Sequence, residues 1–381
     1  MALLTALGGL LTVLLSITPA LPDTLVSIYN RAAAMNAALF FAAPDKTTYV
    51  STGDIDAMWL RDSSIQTRSI LHDRRLARGV IARQERLIVI DPYANAFSRG
   101  YLPIERKFEI DSLCYPVLLA DDYGRAASDR GIYDHPLLLE MRAVLHTLEV
   151  EQHHATMSSY HHNEHPIDPT IGLVWSAYRP SDEAQSYNYN IPENMLASVT
   201  LRTIARLMRD FYADPQEARR ADGIADRIDD ALAHKAVFNT MVGRIYAYEI
   251  DGRGHAKFMD DANTPSLLSV PLFGYRVDPG VYATTRRFIL SSADPYYYRG
   301  RFASGIGSSH TPGNYVWPLS LVVEYRTATD NTERRLVVAA LAASSAGDGA
   351  LHESFDVNDP RKYTRESFGW VNALFEQTFK K

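Results

Sequence analysis

The sequence predicts a mainly α protein, a helical toroid with a few short strands in its loops. Three observations point there. Several segments carry apolar residues at helical spacing, strand signals are sparse, and long polar, aromatic-rich loops separate the helical stretches. Helices in antiparallel pairs with functional loops gathered at one end describe such a ring.

The helical segments follow in chain order. Residues 74–90 place Leu76, Val80, Ile81, Leu87 and Ile88 among Arg-rich positions. Residues 193–212 give one stripe of Met195, Leu196, Val199, Ile204, Leu207, Met208 and Phe211, with Pro192 near its start and Pro215 beyond its end. Residues 217–235 space Ile224, Ile228 and Leu232 four apart on a charged segment, so one face is buried. Residues 315–327 and 332–345 form a helical pair with Asp330 or Asn331 as N-cap between them. A last helix covers 365–379, with Thr364 as N-cap and Phe368, Val371, Leu374, Phe375 and Phe379 inward. The one strand signal is the alternation from Arg244 to Ile250, followed by an Asp251-Gly252 turn and a return through Phe258.

No linker, low-complexity tract or fixed-period repeat interrupts the chain of 381 residues, which favours one catalytic domain over 22–381. Residues 1–21 read either as an export signal or anchor, or as a first core helix. The stretch is apolar, but no Lys or Arg precedes Arg31, and Gly8, Gly9, Pro19 and Pro22 break it up. Location is cytoplasmic on one reading and exported on the other. A net charge of −6 offers no basic footprint for nucleic acid. The one cysteine, Cys114, rules out an internal disulfide and a Cys-based zinc site, and its apolar surroundings read as core.

Five loops concentrate carboxylates, guanidinium groups, amides and aromatics: Thr52 to Ser63, Glu105 to Ser112, Leu173 to Glu183, Met259 to Asn263, and Leu351 to Asp356. Cleaving an acetal takes one carboxyl to protonate the leaving oxygen and a second to assist water or attack. Sugar hydroxyls need paired donors and acceptors, and pyranose C–H faces pack on Trp and Tyr. Trp59, Trp175, Trp317 and Trp370 all fall in or near polar segments. Each loop also has a structural reading. Asp62 pairs with Arg61 or caps a helix, Ser181-Asp182-Glu183 opens a helical turn, and Glu353 beside His352 is an exposed ion pair. The set favours chemistry without naming a sugar. Other chemistries lack their motifs: there is no Gly-x-Ser-x-Gly elbow, Walker loop or Gly-x-Gly-x-x-Gly turn. The His-rich stretch from Glu151 to Asp168 reads as a polar loop, with a metal site or substrate rim as alternatives.

Six motifs in order resemble glycoside hydrolase family 125: Thr52-Gly-Asp-Ile-Asp-Ala-Met-Trp-Leu-Arg-Asp-Ser63, Glu105-Arg-Lys-Phe-Glu-Ile-Asp-Ser-Leu-Cys-Tyr-Pro116, Gly172-Leu-Val-Trp-Ser-Ala-Tyr-Arg-Pro-Ser-Asp182, Met259 to Leu268, Asn314 to Ser320, and His352 to Val357. The resemblance implies an (α/α)6 toroid and an inverting exo-α-mannosidase for terminal α-1,6-linked mannose on an oligosaccharide or glycan, with no metal or cofactor. It makes Asp182 the general acid and Glu353 the general base, and sets Arg61, Asp62, Lys107, Asp111, Arg179 and His352 around the terminal mannose. Inversion leaves room for water between the two carboxyls, which asks for roughly 6.5–9.5 Å, and burial is expected to keep Asp182 protonated. Glu183, Gln185, Glu193 and the Tyr187-Asn-Tyr189 segment depart from the family pattern near the acid, which leaves linkage preference open. A toroidal glycosidase or phosphorylase of other sugar specificity, or a carbohydrate-binding protein on the same scaffold, are the alternatives.

Overall fold

The computed structural model describes residues 22–380, so both readings of residues 1–21 lie outside the described residues. Twelve helices carry the fold: α1 (Val26–Ala37), α2 (Leu60–Arg68), α3 (Arg74–Ile90), α4 (Ile110–Ala126), α5 (His135–Gln152), α6 (His154–Met157), α7 (Ile191–Asp210), α8 (Pro215–Lys235), α9 (Pro279–Ile289), α10 (Pro318–Thr327), α11 (Asn331–Ser344) and α12 (Gly369–Thr378).

Burial sorts them into two rings. Every residue of α2 except Arg68 is buried, and α4, α7, α10 and α12 are buried on most of their faces. In α8 burial is confined to Ala218, Ala221, Ile224, Ala225, Ile228, Ala231 and Leu232, one stripe of an amphipathic helix. The buried helices contact one another in sequence, α2 with α4, α4 with α7, α10 with α12 and α12 with α2. Between α7 and α10 the inner position is taken by a single 3-10 turn, Val270–Phe273, which touches both. The outer helices pack behind, α3 against α5, α8 against α7, α11 against α10 and α1 against α12. This is an (α/α)6 toroid with one inner rung reduced to a turn. None of the described helices is long and apolar enough to cross a membrane.

Helix boundaries follow local chemistry. The outer helices α3, α5, α8, α9 and α11 each begin on an aspartate, Asp73, Asp134, Asp214, Asp278 and Asp330, whose side chain accepts a hydrogen bond from a backbone N–H of the first turn. Asp330, not Asn331, is thus the cap between α10 and α11. The predicted spans for α3, α7, α8, α10 and α11 lie within a few residues of those observed. The last helix begins four residues later than expected. Thr364 ends a strand, Asp359–Thr364, and the cap position is Phe368, which makes no side-chain cap bond.

The strands are short and antiparallel, and three of their sheets lead into inner helices. Met58–Trp59 pairs with Ala96–Phe97, which pairs with Pro103–Glu105. Tyr189–Asn190 pairs with Glu249–Ile250, which pairs with Ala256–Lys257. Tyr315–Val316 pairs with Ser354–Asp356, which pairs with Asp359–Thr364. The first strand of each runs directly into α2, α7 or α10. The predicted hairpin splits in two: Gly243–Tyr246 pairs backward with Val237–Thr240, while Glu249–Ile250 makes the forward pairing across the Asp251-Gly252 turn.

Gly53 shows how the loops are fixed to this frame. It sits at φ +150, and a Cβ there would come 2.1 Å from the carbonyl oxygen of Ser367. The neighbouring Asp54 N–H donates to that oxygen at 3.1 Å, and Gly369 N–H donates to Thr52 O at 2.6 Å. Gly53→Ala is expected to lower stability by about 1–3 kcal/mol through this overpacking. Thermal denaturation compared with the wild type checks it, and an unchanged melting temperature contradicts the close approach.

Candidate active site

A pocket of about 280 Å³ opens at one mouth of the ring. It is lined by the first residues of α2 (Arg61, Asp62) and α12 (Trp370), by the residues just before α2, α10 and α12 (Trp59, Trp317, Phe368), and by loop residues that include Lys107, Asp182, Glu353 and Arg365. A separate hollow is lined by the last residues of the same helices, Arg68, Arg326 and Gln377. The inner helices therefore run in one direction, with their N-termini toward the small pocket. Their dipoles place partial positive charge there, which suits a carboxylate-rich wall.

Two of the expected site residues, Asp182 and Glu353, meet in this pocket from distant parts of the chain. Asp182 lies in a tight turn, not in a helical one, and its side chain is 21% exposed where burial was expected. Its N–H donates to Arg179 O at 2.9 Å, and Arg179 N–H donates to Glu183 O at 2.8 Å. Its own φ is +66, a strained value for a residue with a Cβ. Asn95 Nδ2 donates to Asp182 Oδ1 at 3.2 Å, and Lys107 Nζ stands 3.7 Å from the same oxygen. Next to it, Ser181 Oγ donates to Asp261 Oδ2 at 2.7 Å, so the fourth polar loop pins the turn that carries Asp182.

Glu353 is 6% exposed, not a surface ion pair. Its N–H donates to Thr364 O at 3.2 Å, and Arg365 Nη1 lies 3.9 Å from its carboxyl. Burial pushes its carboxyl above the ordinary glutamate value, against the lowering influence of the Thr364 hydroxyl, His310 and Arg365.

Arg61 and Asp62 anchor the floor. Arg61 Nη1 donates to Glu109 at 2.9 Å and to Asp111 at 3.2 Å, its Nε lies 3.3 Å from Asp62, and its guanidinium stacks over Trp370 at 4.6 Å. Burial raises Asp62 to about 6, with Arg61 opposing and Asp182 adding to the rise. Lys107 also bonds Glu105 at 3.2 Å. Burial works against its charge, but Asp182 and Glu105 outweigh it and hold the ammonium above its usual value.

The other three expected contacts stand behind the lining. Asp111 is fully buried beneath Arg61. Arg179 is buried against Glu249, with Ser309 Oγ 3.3 Å away. His352 is fully buried, stacks on Tyr363 at 3.5 Å and has Arg365 O 3.2 Å from Nδ1. Each steadies a residue or turn that does reach the pocket. Of the four tryptophans, Trp175 is the one that turns away, stacking on His154 at 3.7 Å. That histidine is held by Glu151, so the His-rich stretch is partly core, and no metal-binding cluster of His, Cys, Asp or Glu occurs among the described residues.

The site also contains residues that sequence reasoning passed over: Asn95, Arg365 and the buried Glu109. Arg365 sits at φ +54 and pairs with Asp54. Among the described residues, Trp59 Nε1, Trp370 Nε1 and Arg365 Nη2 are buried with no hydrogen-bond partner. Three donors on aromatic-rich walls match the hydroxyls and C–H faces of a sugar. The residues expected to depart from the resembled pattern divide in two. Glu183 stands at the rim with His310 Nδ1 3.1 Å away. Gln185 donates to Ser176 Oγ at 2.6 Å, and Ser176 donates to Glu193 at 2.8 Å, inside the wall.

Comparison with known proteins agrees with this geometry. The family described as metal-independent alpha-mannosidase (GH125) matches residues 16–104 and 101–379. The chain is 34% identical to the meiotically up-regulated gene 157 protein of Schizosaccharomyces pombe, across 87% of this chain and 75% of that one. A Streptococcus pneumoniae metal-independent alpha mannosidase, solved in a non-productive complex with α-1,6-mannobiose, superposes with a TM-score of 0.87 at 36% identity, covering 93% of both chains. The glucoamylase of Saccharomycopsis fibuligera shares the fold at a TM-score of 0.65 and 11% identity, covering 96% of this chain and 97% of that one. The chain belongs to the metal-independent α-mannosidases of glycoside hydrolase family 125.

Proposed function

We propose that this α-mannosidase removes terminal α-1,6-linked mannose from the non-reducing end of a glycan with inversion, using Asp182 as general acid and Glu353 as general base. The observation that carries the reading is that these two carboxyls line one small pocket whose other walls are charged or aromatic. At about 280 Å³ the pocket is at the lower edge of ligand sites, which run roughly 300–1,000 Å³. It suits one sugar ring, as exo action needs. The α-1,6 preference draws on the mannobiose bound by the Streptococcus pneumoniae relative.

In this mechanism Asp182 gives its proton to the glycosidic oxygen as the bond to the anomeric carbon breaks. Glu353 takes a proton from a water that attacks the opposite face of the ring. Lys107 and Asn95 orient Asp182, and Arg365 and the Thr364 hydroxyl orient Glu353. Trp59 and Trp370 offer indole N–H donors to the sugar. No step calls for a metal or cofactor.

Asp182→Asn and Glu353→Gln are each expected to lower kcat/KM on α-1,6-mannobiose by roughly 10²–10⁴-fold, the range for a lost acid or base. Monosaccharide release, followed beside α-1,2-, α-1,3- and α-1,4-mannobiose, checks both roles and the linkage. Wild-type turnover in the Asp182→Asn protein sinks the assignment. ¹H NMR of early product is expected to show β-mannose first. α-Mannose first indicates retention, and mannose phosphate formed only with added phosphate indicates a phosphorylase.

The base must be ionised to accept a proton. Because burial raises Glu353 above its ordinary 4.5, the acid limb of kcat/KM is expected above pH 4.5, with activity falling as pH drops through it. A profile still flat at pH 4 contradicts the assignment.

A further inference from the structure

We propose that Glu249 is a positioning residue for the reaction: it clamps both legs of the turn that carries Asp182 and so sets where that carboxyl stands. The inference rests on the reading of Asp182 as general acid and adds what holds it in place.

The turn does not favour its own shape. Asp182 sits at φ +66, and a left-handed value at a residue with a Cβ persists only where the surroundings over-determine it. The two legs of the turn form a short hairpin. Arg179 N–H donates to Glu183 O at 2.8 Å, Gln185 N–H donates to Ala177 O at 3.0 Å, and Tyr178 bridges Ala184. A lone two-stranded hairpin is marginal in water, so the hold has to come from outside it.

Glu249 supplies that hold from the helical frame. It lies on the middle strand of the sheet that leads into α7, opposite Asn190 and Lys257. Its side chain is fully buried, and each oxygen takes one leg. Oε1 accepts from Arg179 Nε on the outgoing leg. Oε2 accepts from the N–H of Ser186 at 2.9 Å and of Tyr187 at 3.1 Å on the returning leg. Arg179 passes the hold on, because its carbonyl accepts the Asp182 N–H at 2.9 Å. Arg179 is itself buried, so neither partner can leave without stranding a charge. Burial works against the guanidinium's charge, and Glu249 outweighs it and holds Arg179 above its ordinary value.

Three other charged groups hold single points of the hairpin. Lys257 Nζ donates to Ser186 Oγ at 2.8 Å, Asp261 accepts from Ser181, and Glu193 accepts from Ser176. Of the four, Glu249 is the one that binds both legs directly. An amide in its place has one oxygen and one NH2 group. That NH2 must face either Arg179 Nε–H or the two backbone N–H groups, donor against donor, so Glu249→Gln releases one leg. Glu249→Asp keeps the charge for Arg179 but is one methylene short of reaching both. What a drifting turn loses is proton delivery to the leaving oxygen, so the loss depends on the leaving group.

The test is kcat and KM for α-1,6-mannobiose beside 2,4-dinitrophenyl α-mannoside, whose leaving group needs no acid. For Glu249→Gln the expected result is a mannobiose kcat lower by about 10–10²-fold, the cost of a displaced catalytic group, with KM and the aryl mannoside kcat within a few-fold of wild type. Glu249→Asp is expected to show the same selectivity with a smaller loss, and it keeps the buried ion pair should the glutamine variant not fold. Wild-type turnover of mannobiose by the folded variant overturns the clamp. An equal loss on both substrates also overturns it and leaves Glu249 a structural partner of Arg179. In the wild type, hydrogen exchange at the amides of Asp182, Ser186 and Tyr187 is expected to be as slow as inside α7, and fast exchange there overturns the clamp whichever variants fold. Failure of the reading beneath looks different. If wild type releases no mannose from mannobiose, or if Asp182→Asn matches it, Asp182 is not the acid, even where those amides exchange slowly.

Discussion

A single guanidinium, almost out of water, organises the inner ring. Arg61 rises from the first turn of α2, reaches Glu109 and Asp111 at the start of α4, and lies over Trp370 at the start of α12. Removing such a cation from solvent is expensive, and the neighbouring carboxylates must repay it. Asp111, Glu109 and Asp62 do so, and hold Arg61 charged well above its ordinary value despite burial. The same contacts fix three helix N-termini relative to one another. Losing one partner strands the others as buried charges, a change of order 3–5 kcal/mol. The pocket inherits its geometry from this cluster, since Arg61, Asp62 and Trp370 are its floor.

The two rings divide stability from function. In five outer helices an aspartate satisfies the first N–H groups, a contribution of about 1 kcal/mol each. The inner helices α2, α4, α10 and α12 start on Trp59, Glu109, Trp317 and Phe368, none of which caps. Burial on nearly all faces holds these helices, so they need no cap. Their starting positions are free to carry residues that face the pocket or support it, and the unspent N-terminal dipoles point at its carboxylates. The exception is α7, which Asn190 caps by accepting from Glu193 N–H. That helix begins in the wall behind the Asp182 turn, where Glu193 bonds Ser176, and does not line the pocket.

This division explains what could be read from the sequence. The outer helices announce themselves by a stripe of apolar residues, and α3 and α8 were legible for that reason, as was α11 with the aspartate before it. So was α7, with its long stripe and the flanking Pro192 and Pro215. The N-terminal turns of α2 and α4 were not, because their polar residues face inward and neither cap nor stripe marks the start. They read as loops, and in chemical terms that was informative: the polar residues of Thr52 to Ser63 and Glu105 to Ser112 do build the floor. Composition could not separate pocket-lining groups from those one layer behind. Arg61 and Asp111 stand 50 positions apart and are indistinguishable as sequence, yet one lines the cavity and the other holds it in place. Arg365 reads in the sequence as the first residue of the last helix, yet its φ of +54 excludes it from a right-handed helix.

Asp182 and Glu353 are carried differently from the floor. Arg61, Asp62 and Trp370 ride on helices packed into the core, whereas Asp182 and Glu353 ride on short turns and strands laid over the helix ends. A turn presents a side chain at an angle that a helix start does not offer, at the cost of a left-handed φ at Asp182. What keeps such segments rigid is a set of specific bonds: Ser181 to Asp261, Asn95 to Asp182, and Glu353 N–H to Thr364 O. These bonds reach across as many as 87 positions of sequence, so the placement of Asp182 depends on the closed ring and not on its own segment. A helical frame sets the floor of the pocket, and the overlying turns set where its two carboxyls stand.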